Sequence, residues 1–127
     1  MMLLDTSFLI DFFRGVEATR GLVGGEPLVS AISYHEIMTG IKFKRATVEE
    51  KHFKRFFGEV RILPYDTASA EESSSIAAKL LAIGKNVNAL DIMIAGSAQA
   101  NGVYEIATRD AGFLEIQMVS DLRAVRY

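Results

Sequence analysis

Four acidic side chains lie at positions where an α/β protein places its reactive groups. Asp5 and Asp110 follow short apolar runs that predict buried strands, while Glu36 and Asp91 lie near the predicted starts of helices. Open α/β sheets bind their ligands beyond the carboxyl ends of the strands. Carboxylates that face one pocket raise one another's pKa, and a bound cation relieves this repulsion. If the fold brings the four acids together, they form a divalent-metal site.

The residue types in this set limit the metal that it would bind. The chain has no cysteine, and its two histidines, His35 and His52, are isolated from any nucleophilic Ser or Cys motif. Ligand sets made only of oxygen atoms favour hard cations, so Mg²⁺ or Mn²⁺ is expected rather than zinc.

A structural role competes with metal binding for two of the acids. Glu36 and Asp91 stand three residues after the candidate helix caps Ser33 and Asn88. A carboxylate at that position caps the backbone and interacts favourably with the helix dipole. The residues alone therefore leave both interpretations open for each of these two acids.

The overall composition predicts one domain that spans residues 1–127. Half of the residues are hydrophobic and 24% are charged, which excludes a disordered chain. The net charge of −2 gives no general support for nucleic-acid binding, although neutralising the four acids leaves a formal charge of +2. No apolar run approaches the ~18 residues of a membrane span, and no signal peptide is recognised, so a soluble, cytoplasmic protein is expected.

The elements that must position these acids alternate between apolar strands and helices. This alternation predicts an α/β/α domain with a central parallel sheet. The predicted strands are 2–4, 27–30, 60–63 and 103–107, with 114–119 as a last one. The predicted helices are 8–14 after the candidate caps Thr6 and Ser7, then 17–23, 33–44, 48–57, 69–83 and 88–100.

Four short motifs occur in order along nearly the whole chain. They are Leu-Asp-Thr-Ser-Phe-Leu-Ile-Asp at 4–11, Ser-Tyr-His-Glu-Ile at 33–37, Leu-Asp-Ile-Met-Ile-Ala at 90–95 and Thr-Arg-Asp at 108–110. Together they resemble the PIN-domain family, in particular its VapC-type toxins. The resemblance implies a three-layer α/β/α domain and a Mg²⁺- or Mn²⁺-dependent endoribonuclease. It also implies a homodimer that a cognate antitoxin inhibits, as in VapBC-type toxin–antitoxin pairs.

The resemblance carries site roles over to matching positions. The acids that resemble the family's metal ligands are Asp5, Glu36, Asp91 and, as the more variable fourth, Asp110. Thr6 or Ser7 resembles the small polar residue that supports the site, with Ser7 where Asn is common. The segment 111–113 lacks the acid that often precedes the family's final Phe. The implied chemistry is metal-assisted hydrolysis of a phosphodiester bond, in which the cation activates water and neutralises developing charge.

Charged residues around the motifs have structural and functional interpretations. Asp11 is expected on the helix surface or beside the site, and Arg14 and Arg109 are expected in ion pairs rather than on substrate phosphate. Six of the fourteen basic residues lie in 42–55, which predicts a solvated face or a patch that guides RNA. Phe43 and Phe53 in this segment, and Phe56 and Phe57 directly after it, are expected in the core.

Three other functions remain compatible with parts of the sequence. A receiver-type signalling module also binds Mg²⁺ through acids, but it needs a phosphorylatable Asp that the predicted strand 60–63 lacks. A PIN-like module with weak catalysis would act mainly in an antitoxin complex. An RNA-processing nuclease outside toxin–antitoxin systems would retain the same four acids.

Overall fold

The computed structural model describes residues 1–127 and contains one five-stranded sheet with seven helices. The strands are β1 (Met2–Leu4), β2 (Pro27–Ser30), β3 (Arg61–Leu63), β4 (Glu105–Ala107) and β5 (Arg123–Val125). The helices are α1 (Thr6–Phe13), α2 (Glu17–Arg20), α3 (Ala31–Lys44), α4 (Thr47–Glu59), α5 (Thr67–Ala82), α6 (Ala89–Ala100) and α7 (Gly112–Met118). None of these helices is long and apolar enough to cross a membrane.

All strand pairs are parallel, and the strand order is β3-β2-β1-β4-β5. The chain begins in the centre of the sheet, adds β2 and β3 on one side, and returns to the other side of β1 with β4. The order therefore reverses between β1 and β4, and such a reversal opens a crevice at the carboxyl edge. The predicted α/β/α fold with a central parallel sheet is confirmed.

Consecutive residues of a strand face opposite sides of the sheet, and their side chains pack into two separate hydrophobic cores. Leu3 packs with helices α5, α6 and α7, whereas Leu4 packs with α1, α3 and α4. Both leucines are at most 1% exposed. Successive apolar residues in each short strand are what a sheet covered on both faces requires.

Helices α5 and α6 cross at Gly96 with no room for a side chain. A Cβ at Gly96 would lie 2.5 Å from the Cβ of Ser73 and 2.7 Å from the carbonyl oxygen of Ser69. This close packing fixes α6, the helix that carries Asp91, against its neighbour. The expectation of a central, largely buried helix over 88–100 agrees with this position.

Two differences between the predicted and the observed elements matter most, one in type and one in the N-cap. Residues 114–119 belong to α7 and not to a strand, because the buried Phe113 and Ile116 are spaced for one helix face. Helix α3 begins before Ser33, since Ser30 is its N-cap and accepts a hydrogen bond from the Ile32 N–H at 3.0 Å. Glu36 therefore lies in the second turn of α3.

The expectation that the phenylalanines of 42–57 are core residues is only partly correct. Phe57 is buried and Phe53 is half-buried, with its ring 4.1 Å from that of Phe13 on α1. Phe43 is 88% exposed, so its placement in the core is wrong. It follows the buried Ile41 by two residues, which turns it to the opposite face of α3.

Candidate metal centre

Asp5 directly follows β1 and is itself the N-cap of α1, where Thr6 or Ser7 was expected. Its Oδ1 accepts hydrogen bonds from the Phe8 N–H at 2.8 Å and from the Ser7 hydroxyl at 2.8 Å. The side chain is only 2% exposed. Burial raises the pKa of Asp5 to about 6, although these hydrogen bonds act in the opposite direction.

Thr108 joins Asp5 to the loop after β4, and the sequence analysis assigned it no role. Its hydroxyl donates to Oδ2 of Asp5 at 2.5 Å and accepts a hydrogen bond from the Asp110 N–H at 2.9 Å. The residue is completely buried. The only sequence signal for this role was its place in the motif at 108–110, directly after a predicted strand.

Glu36 is held by the first residue of α1. The Thr6 hydroxyl donates to Oε1 of Glu36 at 2.8 Å and also lies 2.9 Å from Oγ of the buried Ser33. Thr6 and Ser7 thus support different acids, since Ser7 donates to Asp5. A supporting role was expected for only one of these two residues, whereas each of them contacts a different acid.

Asp91 and Asp110 form the other side of the pocket. Asp91 is the third residue of α6, after the N-cap Asn88, whose side chain accepts a hydrogen bond from the Leu90 N–H. Burial raises the pKa of Asp91 to about 7, and the charge and hydrogen bond of Asp110 add to this shift. Asp5 and Glu36 raise the same pKa further. The charges of the other three predicted acids therefore all act on Asp91.

The pocket has the right atoms for a hard cation but not a finished ligand set. No group of three or more acidic or histidine side chains stands ready to bind one ion as the side chains lie. The donors are nonetheless all carboxylate oxygens, which suit Mg²⁺ or Mn²⁺. Gly112 leaves space beside them, because a Cβ there would lie 3.3 Å from Oδ1 of Asp110 and 3.5 Å from Oδ2 of Asp91. The residues present fit a divalent cation.

An ion pair borders the acids on the side of the chain terminus. Arg109 Nε lies 2.7 Å from Oδ2 of Asp11, and the Tyr127 hydroxyl donates to the same oxygen at 2.6 Å. Arg109 holds the pKa of the Asp11 carboxyl below its usual range. The expected ion pair of Arg109 is confirmed. Asp11 is buried rather than on the helix surface, and nothing in the sequence indicated the contact with Tyr127.

A cavity of about 610 Å³ adjoins the acids between α1, α3 and α4. Thr6 and Glu36 form the end that it shares with the acidic pocket. Its walls combine apolar side chains such as Ile37 with the cationic side chains of Arg14 and Lys44. Glu49 also lines the cavity, so the acidic pocket opens onto a surface of mixed charge that includes two exposed cations.

The fold and the pocket define a class of protein, a parallel α/β domain whose carboxylates gather where the strand order reverses. The sequence model of the PIN domain matches residues 2–118, and the chain belongs to this family. The resemblance seen in the four motifs is confirmed at the level of the family.

Three solved structures share the fold. VapBC2 from Rickettsia felis, bound to a DNA fragment from their promoter, matches with a TM-score of 0.85 and 14% identity over 99% of this chain and 98% of that chain. VapBC-5 from Mycobacterium tuberculosis, a member of the VapBC family of toxin-antitoxin systems, has a TM-score of 0.80 and 18% identity over 98% and 97%. VapC20 from Mycobacterium tuberculosis, a sarcin-ricin loop cleaving toxin, has a TM-score of 0.65 and 16% identity over 97% and 99%.

Proposed function

We propose that the protein is a Mg²⁺- or Mn²⁺-dependent endoribonuclease and the toxin of a VapBC-type toxin–antitoxin pair. The observation that carries this proposal is the meeting of acids from four separate parts of the chain. Asp5 comes from the end of β1, Glu36 from α3, Asp91 from α6 and Asp110 from the loop after β4. Burying mutually repelling carboxylates costs free energy, which argues for a binding role.

The four acids would hold the cation, and hydroxyl groups would orient them. Bound there, a divalent cation lowers the pKa of a water molecule and neutralises charge on the phosphate under attack. Ser7 and Thr108 fix both oxygens of Asp5, and Thr6 orients Glu36. Asp110 remains exposed at the rim, so it is the acid best placed to meet solvent and substrate.

RNA as the substrate is supported by surface charge and by one relative. Basic side chains of α3, α4 and the turn between them are all exposed; they are Lys42, Lys44, Arg45, Lys51, Lys54 and Arg55. Lys44 and Arg14 line the cavity that meets the acids. Such cations attract phosphates and would guide a strand toward the pocket. VapC20, which has this fold, is a sarcin-ricin loop cleaving toxin.

The proposed partners are a cognate antitoxin and a second copy of the chain in the cytoplasm. The antitoxin is supported by VapBC-5, a member of a toxin-antitoxin family. The exposed Phe43 is a large apolar side chain of the kind that protein interfaces cover. Sedimentation of the purified protein, alone and after co-expression with the product of the neighbouring reading frame, tests both partners.

The central experiment replaces one acid and keeps its size. Asp5→Asn should lower Mg²⁺- or Mn²⁺-dependent RNA cleavage at least about 100-fold, because the carboxylate charge that attracts the cation is lost. Cleavage is measured on total RNA with purified protein, with and without a chelator. Asp66→Asn is the matched control, because Asp66 also caps a helix but lies at α5. Full activity of Asp5→Asn would exclude the proposed reaction.

A catalytically weak PIN-like module is the second candidate. It is favoured by the fact that the acids do not form a ready ligand set as they stand. Purified protein that binds the antitoxin but cleaves no RNA with either metal would support this candidate. Cleavage together with the absence of an antitoxin-like neighbouring reading frame would favour an RNA-processing nuclease instead.

A further inference from the structure

We propose that Asp11, Arg109 and Tyr127 act as positioning residues that set the affinity of the pocket for a divalent cation. They would do so by holding the loop after β4, which carries Thr108 and Asp110, against helix α1. The inference rests on the proposed function, because it concerns the cation bound by the four acids.

The three side chains form one connected group around a buried carboxylate. Arg109 approaches Asp11 with two nitrogens, Nε at 2.7 Å and Nη2 at 3.3 Å, each to a different oxygen. The Tyr127 hydroxyl donates to Oδ2 of Asp11 at 2.6 Å. The Tyr127 ring packs edge-on against Phe8, with 5.2 Å between ring centroids. Asp11 is only 7% exposed, so this group is a defined contact and not a loose surface pair.

Arg109 attaches the loop to α1 at two points. Its side chain binds Asp11, and its backbone N–H donates to the Ser7 hydroxyl at 3.2 Å. Ser7 and Asp11 are four residues apart and therefore lie on the same face of the helix. Two attachments to one face fix the orientation of the loop as well as its distance from α1.

The same loop residues determine where two of the acids lie. Thr108 precedes Arg109 and donates to Asp5, while Asp110 follows Arg109 and lies close enough to Asp91 to raise its pKa. The Ser7 hydroxyl that receives the Arg109 N–H also donates to Asp5. A shift of Arg109 would therefore change the position of Asp110 relative to Asp5.

The expected consequence is a loss of cation affinity that exceeds any loss of stability. The Arg109 side chain is 53% exposed, and Asp11 keeps its hydrogen bond from Tyr127 when Arg109 is replaced, so the fold should tolerate the change. Groups that orient metal ligands change metal affinity by about 10- to 100-fold when they are replaced. We therefore expect Arg109→Gln to weaken binding of Mn²⁺ about tenfold.

Arg109→Gln distinguishes a positioning role of Arg109 from an effect of its charge, because the two change cation affinity in opposite directions. Removing a positive charge near the acids would by itself strengthen cation binding, whereas loss of the attachment weakens it. Mn²⁺ is titrated calorimetrically into the RNA-free protein. The double variant Asp11→Asn, Arg109→Gln preserves net charge and should match Arg109→Gln, since both remove the same contact. Tyr127→Phe should have a smaller effect in the same direction.

The control is another ion pair that also involves β4 but lies away from the pocket. Arg123 of β5 pairs with Glu105 of β4, and Arg123→Gln should leave Mn²⁺ affinity unchanged. Equal or tighter Mn²⁺ binding by Arg109→Gln overturns the positioning role. If Arg109→Gln does not fold, Arg109→Lys keeps the charge but loses the planar two-nitrogen contact, and unchanged affinity there has the same meaning. Wild-type protein that binds no Mn²⁺, or Asp5→Asn that binds it normally, removes the proposed function and this inference together.

Discussion

The two sides of the acidic pocket are built in different ways. Asp5 is buried, yet two hydroxyls and one backbone N–H surround its carboxylate. Asp91 is also partly buried, but its nearest interacting group is another acid, Asp110. Burial raises the pKa in both cases, while hydrogen bonds oppose the rise at Asp5 and neighbouring charges increase it at Asp91.

This difference indicates which ligands the fold itself positions. The hydroxyls that hold Asp5 come from α1 and from the end of β4, which are parts of the packed domain. Asp110 lies in an exposed loop, and its position depends on local hydrogen bonds to Thr108 and Gly112. The Asp5 side is therefore fixed by the packed domain, whereas the position of Asp110 on the Asp91 side depends on contacts made by its own loop.

The variant with the largest expected effect removes the Thr108 hydroxyl and so tests whether it fixes Asp5. Thr108→Val should lower RNA cleavage about 100-fold and cost about 1–3 kcal/mol of unfolding free energy, because a buried carboxylate loses a donor. Cleavage and chemical denaturation are measured on the same preparation. Thr108→Ser keeps the hydroxyl and should retain most of the activity. Normal cleavage by the folded Val variant would contradict the role given to Thr108.

The second test uses pH and the stability of the metal-free protein. The raised pKa values of Asp5, about 6, and Asp91, about 7, favour the protonated folded state. Their stabilising contribution is complete below the ordinary carboxyl pKa of 3.8 and is lost as the pH rises through these values. In the presence of a chelator, the unfolding free energy should therefore fall between about pH 4 and pH 8. The rise in the pKa of Asp5 from 3.8 to about 6 alone corresponds to about 3 kcal/mol.

Two additions make this pH test specific to the pocket. Mg²⁺ should restore stability at the alkaline end, since the cation binds the ionised acids. Asp91→Asn should reduce the fall and leave the part that Asp5 contributes, whereas Asp66→Asn should not change it, because the pKa of Asp66 is lowered and its contribution changes only in more acidic solution. A flat curve for the wild type would show that the pKa values of Asp5 and Asp91 are not raised as described.

The smallest expected effect tests the Asp91 side alone. Gly112→Ala places a methyl group 3.3 Å from Oδ1 of Asp110, a tight contact that displaces this loop acid. We expect cleavage to fall about tenfold, comparable to the loss of a group that orients a metal ligand, with little change in melting temperature. Gly21→Ala is the control, because nothing lies within 4 Å of a Cβ at that position. Equal activity of the two variants would mean that Asp110 need not keep its position.

Much of the fold could be predicted because its signals are local. Apolar runs ending at Asp5 and Ser30 predicted β1 and β2, and Asn88 correctly predicted the start of α6. The first residue of α3 was predicted wrongly because two serines lie close together. Ser33 matches a capping pattern, whereas Ser30, at the end of a strand, is the residue that caps the helix. Sequence spacing alone could not distinguish them.

The acids could be proposed from the sequence, but their surroundings could not. Asp5 and Glu36 belong to recognisable motifs, whereas the hydrogen bond from Thr108 to Asp5 joins residues 103 positions apart. The contact of Tyr127 with Asp11 spans 116 positions. Such contacts depend on how β1, β4 and the chain terminus meet in three dimensions, for which a single sequence has no periodic or local signal.

The central position of β1 has a consequence for the protein during its synthesis. Asp5 leaves the ribosome 103 residues before the Thr108 that fixes it. Contacts between distant residues form only after the intervening chain is available. A chain synthesised only as far as β3 therefore lacks an assembled pocket, and the four acids come together only once β4 and the loop after it are available.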